Sequence, residues 1–318
     1  MFPRPTSAPS ADHRARFLAT RVTIRNASLL FSIGACIAAQ CVYIFFAPPR
    51  PHRDRPASIP HLDHILTIVL ENAEYSRAAR APFLHRLAQR GAVLTNYHAV
   101  AHPSYPNYLA LVSGSTQSIH DNAPRLFDKG NLVDLLEQAH VSWKVYAENL
   151  PAPCSPVEVS PDGLYVRRHE PFASFRDIAS DPVLCAHIVN AAEFPVDLSA
   201  YALPRYGLYI PNLDHDGHDT GLAAADAWLN AFLSPWLAQP SRLRNTLIIV
   251  TFGEGSRFWF NHVYTALIGD MVKPGVTNSQ RYTHYSLLRL VEEGLDVGTL
   301  GKHDASTRPI CCIWTSDQ

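Results

Sequence analysis

The stretch AHPSYPNYLALVSGS, residues 101–115, sets Ser104 between two prolines, just ahead of an apolar run with helical spacing. Two chemistries compete for that serine. Its hydroxyl can accept a backbone N–H and cap the helix that follows. It can equally act as an oxygen nucleophile at a helix N-terminus, where N–H groups and the dipole welcome an anion such as phosphate. Elsewhere, carboxylates and imidazoles gather where apolar runs stop. HILTIVLEN ends in Glu71 and Asn72. YGLYIPN is followed by Asp214, His215, Asp216, His218 and Asp219. NTLIIVTFGEG ends in Gly253 and Glu254, and His262 comes soon after in NHV. Carboxylates mixed with imidazoles suit a hard or borderline divalent cation. Each piece has a plainer reading: a solvated turn for DHDGHD, a helix cap for Asn72, a core or loop histidine for His262. Three separate strand ends nevertheless repeat the pattern.

For these groups to meet, the elements between them must form an open sheet. Apolar runs predict strands at 64–72, 141–148, 206–212, 245–255 and 263–270. Amphipathic spacing predicts helices at 81–91, 131–140, 224–237 and 284–295, besides the one that starts near Ser104. Strands alternating with helices imply an α/β fold with a mostly parallel central sheet flanked by helices. In such sheets ligands bind beyond the carboxyl ends of the strands. The Pro-containing stretch 149–205 has a weak pattern and reads as an insertion or cap over one end of the sheet.

The chain has 318 residues, 47% hydrophobic and 17% charged, with net charge −1. No global excess of basic charge points to nucleic acid. Residues 1–26 are Arg-rich, and 27–47 carry no charge over a length that can span a bilayer. Arginines ahead of the apolar run place the N-terminus in the cytoplasm and the remainder outside it. The run is read as a transmembrane signal anchor, with a cleaved signal peptide as the alternative, which would leave the protein secreted. A Pro-rich linker at 48–60 leads into one domain, 61–318. In an oxidising compartment Cys154 and Cys185 form a candidate disulfide, and no CxxC spacing suggests a thiolate zinc site.

The ordered set ENxxY, HPSxPNYLALxSGS, PNLxxDGHD, TFxEG, NHV, HYSLLRxxE and STRPI resembles the acid phosphatase and phospholipase C-like phosphoesterase family of the alkaline phosphatase superfamily. The resemblance covers roughly 62–314. It implies an alkaline phosphatase-like fold and a metal-dependent phosphoesterase working through a phosphoserine at Ser104. It further implies a divalent metal ion, of unspecified identity, on Glu71, Asn72, Ser104 and Glu254. Asp214 or Asp216 with His218, joined by His262, would hold a second metal or the phosphate. His218 and His262 would assist catalysis, while Asn72, His102 and Asn107 would contact substrate. The implied partners are a phosphorylated small molecule or a phospholipid head group, with the membrane reached through the N-terminal helix.

One departure bears on activity. Gly253 stands where the family usually carries Asp, so a carboxylate expected near the metal is missing. Three functions follow from the motif set: a phosphomonoesterase, a phospholipase C-like phosphodiesterase, or a catalytically impaired binding protein on the same fold.

Overall fold

A computed structural model describes residues 59–315, apart from 61 and 257–260. The basic segment, the 27–47 apolar run and the linker lie outside the described residues, apart from the last two linker positions. Among the described residues no helix is long and apolar enough to cross a membrane.

Ten strands are present among the described residues: β1 His64–Leu70, β2 Ala92–Leu94, β3 Tyr97–His98, β4 Trp143–Ala147, β5 Ile188–Asn190, β6 Tyr206–Ile210, β7 Thr246–Phe252, β8 Thr265–Ile268, β9 Val276–Asn278 and β10 Tyr282–Thr283. Eight make one sheet in the order β5-β4-β6-β1-β7-β8-β2-β9, and β3 and β10 pair separately. Every pairing in the large sheet is parallel except those of β8 with β7 and β2. The expected α/β class and mostly parallel sheet are thus present. Near-continuous burial of β1, β6 and β7 explains why their sequences are apolar runs rather than alternating ones.

The five longest described helices are α1 Pro82–Arg90, α2 Ser104–Ser113, α3 Leu132–Gln138, α4 Leu222–Leu237 and α5 His284–Leu295. Helix α3 opens with a capping box between Asn131 and Asp134, and α5 with one between Thr283 and Ser286. The 149–205 stretch, read as an insertion or cap, also contributes to the sheet itself. Its strand β5 pairs with β4 and extends the sheet edge, and Cys154 and Cys185 are bridged with a Cα–Cα distance of 5.3 Å.

Candidate active site

The site is assembled where β1, β6 and β7 end side by side. Leu70 of β1 is the register partner of Phe252 of β7, so Glu71 and Gly253 leave the sheet together. The Glu71 amide donates to the Asp216 carbonyl at 2.8 Å, which ties the loop after β6 to the same edge. Asn72 then turns through a positive φ of 56°, a conformation asparagine tolerates well.

Ser104 is not the N-cap of α2. Pro103 holds that place, Ser104 is the first helical residue, and no side chain caps the end. Its hydroxyl is spent elsewhere: Ser104 Oγ donates to Glu254 Oε1 at 2.8 Å. The other Glu254 oxygen is in very short contact with His102 Nδ1. Ser104 and Glu254 are buried, whereas the His102 side chain is 43% exposed. The anion-binding capacity of the helix end is smaller than its position suggests. The Tyr105 amide is taken by Asn122 Oδ1 at 3.0 Å, and Pro106 has no N–H. Asn72, His102, Ser104, Asn122, His218 and Glu254 line a cavity of about 520 Å³.

Behind Ser104 lies a buried polar group that the sequence reading only half anticipated. Glu71 and Asp216 are buried, and His169 stands between them, Nδ1 3.3 Å from Asp216 Oδ2 and Nε2 3.7 Å from Glu71 Oε1. The Tyr108 ring stacks on His169 with centroids 4.8 Å apart. Both Glu71 oxygens, Asp216 Oδ2, His169 Nε2 and the Tyr108 hydroxyl lack hydrogen-bond partners. Burial is the main cause that raises the Glu71 carboxyl well above its ordinary range, and the charges of Glu254 and Asp216 add to it. Burial likewise pushes Asp216 up to about 7 and holds His169 well below the usual imidazole range. The third region is peripheral: His218 Nδ1 sits 2.6 Å from Asp219 Oδ1, at the cavity rim.

Three expected site residues stand elsewhere. Asp214 is exposed, its amide bound to Asn212 Oδ1 in the turn after β6. Asn107 faces the loop before α2, accepting from the amides of Val100 and Ala101 and donating to the Ala101 and Pro103 carbonyls. His262 does not line the cavity; its Nε2 meets the Thr95 carbonyl at 2.9 Å while the ring stacks on Tyr75 and His98. His169 was missed because it lies in the patternless 149–205 stretch. Its only sequence signal is the cluster RRHEPF, of which Arg167 is spent on the Arg125 and Ala173 carbonyls. His284 is fully buried and anchors the strand end: Nε2 donates to the Gly253 carbonyl and Nδ1 accepts from Tyr97, both at 2.8 Å. A carbonyl can only accept, so this tautomer is fixed, and burial lowers the imidazole to about 4.

Among the described residues, no group of three or more His, Cys, Asp or Glu side chains is arranged to hold a metal ion as it stands. The donor set nonetheless suits a hard divalent cation. Glu71 carries two buried oxygens without partners, and Glu254 and Asn72 flank it with further oxygen atoms.

The chain is 34% identical over 252 residues to the phosphate-repressible acid phosphatase of Penicillium chrysogenum, covering 76% of this chain and 61% of that protein. It thus spans about three fifths of the fungal acid phosphatases it matches. It is 33% identical over 265 residues to a phosphatidylinositol-3-phosphatase of Mycobacterium tuberculosis, covering 81% of this chain and 85% of that one. A solved alkaline phosphatase superfamily protein from Vibrio parahaemolyticus shares the fold, with TM-score 0.53, 12% identity, and coverage of 80% of this chain and 72% of that one. The model of the Phosphoesterase family matches residues 67–298, and with relatives of this similarity the chain belongs to that family.

Proposed function

We propose that this chain hydrolyses phosphate monoesters with Ser104 as the nucleophile. The observation that carries the reading is the Ser104 Oγ–Glu254 Oε1 hydrogen bond at the base of the cavity. A serine hydroxyl is a weak nucleophile unless a base takes its proton, and Glu254 is placed to do so. Ser104 Oγ then bonds to phosphorus as the ester P–O bond breaks. The departing oxygen needs a proton, and His218 and His102, both on the cavity wall, are the groups within the site able to give one. Water attack on the phosphoserine releases phosphate and returns the proton to Ser104.

A divalent cation would be held by Glu71, Asn72, Glu254 and the Ser104 oxygen. When bound it would supply positive charge to the serine oxygen and to the phosphoryl group. Without it, burial and the neighbouring carboxylates favour the protonated forms of Glu71 and Asp216. The names of the relatives, acid phosphatases and a phosphatidylinositol-3-phosphatase, support a phosphomonoester on a small molecule or a lipid head group as the substrate class. Placement outside the cytoplasm through an N-terminal anchor belongs to this same reading and rests on 27–47 alone.

The test is p-nitrophenyl phosphate hydrolysis after chelation and after divalent ions are added back, with Ser104→Ala alongside. Turnover that returns with metal and vanishes in the variant is expected. Full turnover by Ser104→Ala overturns the nucleophile. Cleavage of a phosphocholine diester in preference to the monoester would select the phospholipase C-like alternative. No turnover of either ester would select the non-catalytic one.

A further inference from the structure

The described cysteines outside the Cys154–Cys185 bridge, Cys311 and Cys312, are neighbours in the chain and touch through their thiols, with Sγ 3.0 Å from Sγ. Cys312 is exposed and Cys311 half-buried. The turn that carries them is pinned on both sides. Ile310 ahead of it and Ile313 and Trp314 behind it are buried. The Lys273 amide donates to the Ile313 carbonyl at 2.8 Å, and the Thr315 amide to the Met271 carbonyl at 2.9 Å. Between these ties Cys312 takes a positive φ of 66°. That region is uncommon for a residue with a side chain, and the surrounding structure must enforce it. The pair does not make a closed structural metal centre. Such a centre takes four ligands, and among the described residues no third His, Cys, Asp or Glu joins the two thiols.

We propose that Cys311 and Cys312 form a reversible redox site, a dithiol that a small-molecule disulfide such as oxidised glutathione converts to a vicinal disulfide. The exposed Cys312 attacks first. Its thiolate displaces one glutathione thiol and keeps the other half as a mixed disulfide. The Cys311 thiolate then attacks Cys312 Sγ, closes the Sγ–Sγ bond and expels the second glutathione. Two electrons and two protons pass from the protein to the reagent, which leaves as two thiols. Neighbouring Cα atoms lie about 3.8 Å apart across a trans peptide, short of the roughly 4.4–6.8 Å usual for a disulfide. The ring is therefore strained and easily reduced, unlike the Cys154–Cys185 bridge with its Cα atoms 5.3 Å apart. Ring closure also acts on its surroundings. The strain falls on the peptide between the two cysteines, and the Cys311 carbonyl in that peptide accepts from Asn278 Nδ2 at 2.8 Å. The same Nδ2 reaches the buried Tyr282 hydroxyl at 3.3 Å. Oxidation turns the carbonyl away and releases Asn278, which loosens β9 and β10 beside it.

The full chain is incubated with oxidised glutathione, remaining thiols are blocked with N-ethylmaleimide, and the peptide holding both cysteines is weighed by mass spectrometry. In wild type that peptide is expected to lose two hydrogens and take no maleimide. Cys311→Ser is expected to stop at the glutathione adduct on Cys312. Cys312→Ser is expected to react slower by about tenfold or more, because only the half-buried thiol is left to attack. Graded dithiothreitol should then reopen the vicinal pair at concentrations that leave Cys154–Cys185 closed. Glutathione retained on both cysteines of wild type, or a bridge from this peptide to a second copy of the chain, overturns the proposal. Reduction of both bridges at the same dithiothreitol concentration overturns its reversibility. Hydrogen exchange reads the effect on the surroundings. Amides at 276–283 are expected to exchange faster in oxidised than in reduced wild type, with no such difference in Cys311→Ser/Cys312→Ser treated alike. Equal exchange in the two wild-type forms would overturn the release of Asn278.

Discussion

Glu254 accepts from two donors at once, the Ser104 hydroxyl and the His102 imidazole. An amide cannot reproduce this, because one of its two ends can only donate. Glu254→Gln is therefore expected to lose the base while the fold persists, with kcat/KM for a phosphomonoester falling about 10²–10⁴-fold, the range for a general base. A loss below tenfold would assign the serine's proton to another group. The residue types needed for this chemistry were legible in the sequence, since Ser104, Glu71 and Glu254 each follow a recognisable element boundary. Their directions were not. Ser104 looks like a cap by type and spacing, and only the tertiary bond to Glu254 takes its hydroxyl out of that role. Asn107 and His262 carry the right atoms too, but nearby carbonyls and amides claim them.

Elements were legible in proportion to their periodicity. Helix α5 begins and ends where the apolar spacing places it, and the structure adds the Thr283 cap. The strands β2, β3, β9 and β10, two or three residues each, leave no period to read and went unseen. The 149–205 segment is the costliest gap, because it carries His169 into the site on short turns rather than on a patterned helix. Inside it, the Cys154–Cys185 bridge spans 31 positions. Closing a loop of that length stabilises a fold by about 2–4 kcal/mol through the unfolded chain. Cys154→Ser/Cys185→Ser is expected to lose stability of that order in urea denaturation. A second consequence belongs to the same segment: hydrogen exchange at 160–175 should accelerate in the variant while exchange in β1 and β7 follows only the global loss. Uniform acceleration would mean that the bridge serves the whole fold and not the segment that carries His169.

At the scale of the whole molecule, α2 is clamped at both ends, by the site at Ser104 and by the C-terminal segment at Ser113. Lys302 Nζ donates to the Ser113 and Gly130 carbonyls, placing a cation at the negative end of the helix. Gly114, at φ 63°, lets Asp304 close against that end, and a Cβ there would meet Asp304 Oδ1 at 2.3 Å. Asp304 in turn lies against Glu292 of α5, and both are fully buried. Burial, with the Asp304 charge beside it, raises the Glu292 carboxyl to about 9. The folded protein thus holds a proton at Glu292 that the unfolded chain releases near its ordinary value of 4.5. Between those values the native state binds more protons than the unfolded state, so stability falls as pH rises. The contribution is fully present below about 4.5 and is lost by about 9. Glu292→Gln removes the titration while keeping the shape. The variant should match wild type in Tm near the acid end of this window and exceed it progressively toward the alkaline end. Each kcal/mol recovered is worth about 2–4 °C in a domain of this size. Parallel Tm curves for the two proteins across the window would show that Glu292 is ionised in the fold and that another group sets the alkaline limb. A rising difference would locate the alkaline weakness of the molecule at the far end of α2, the helix that begins at Ser104.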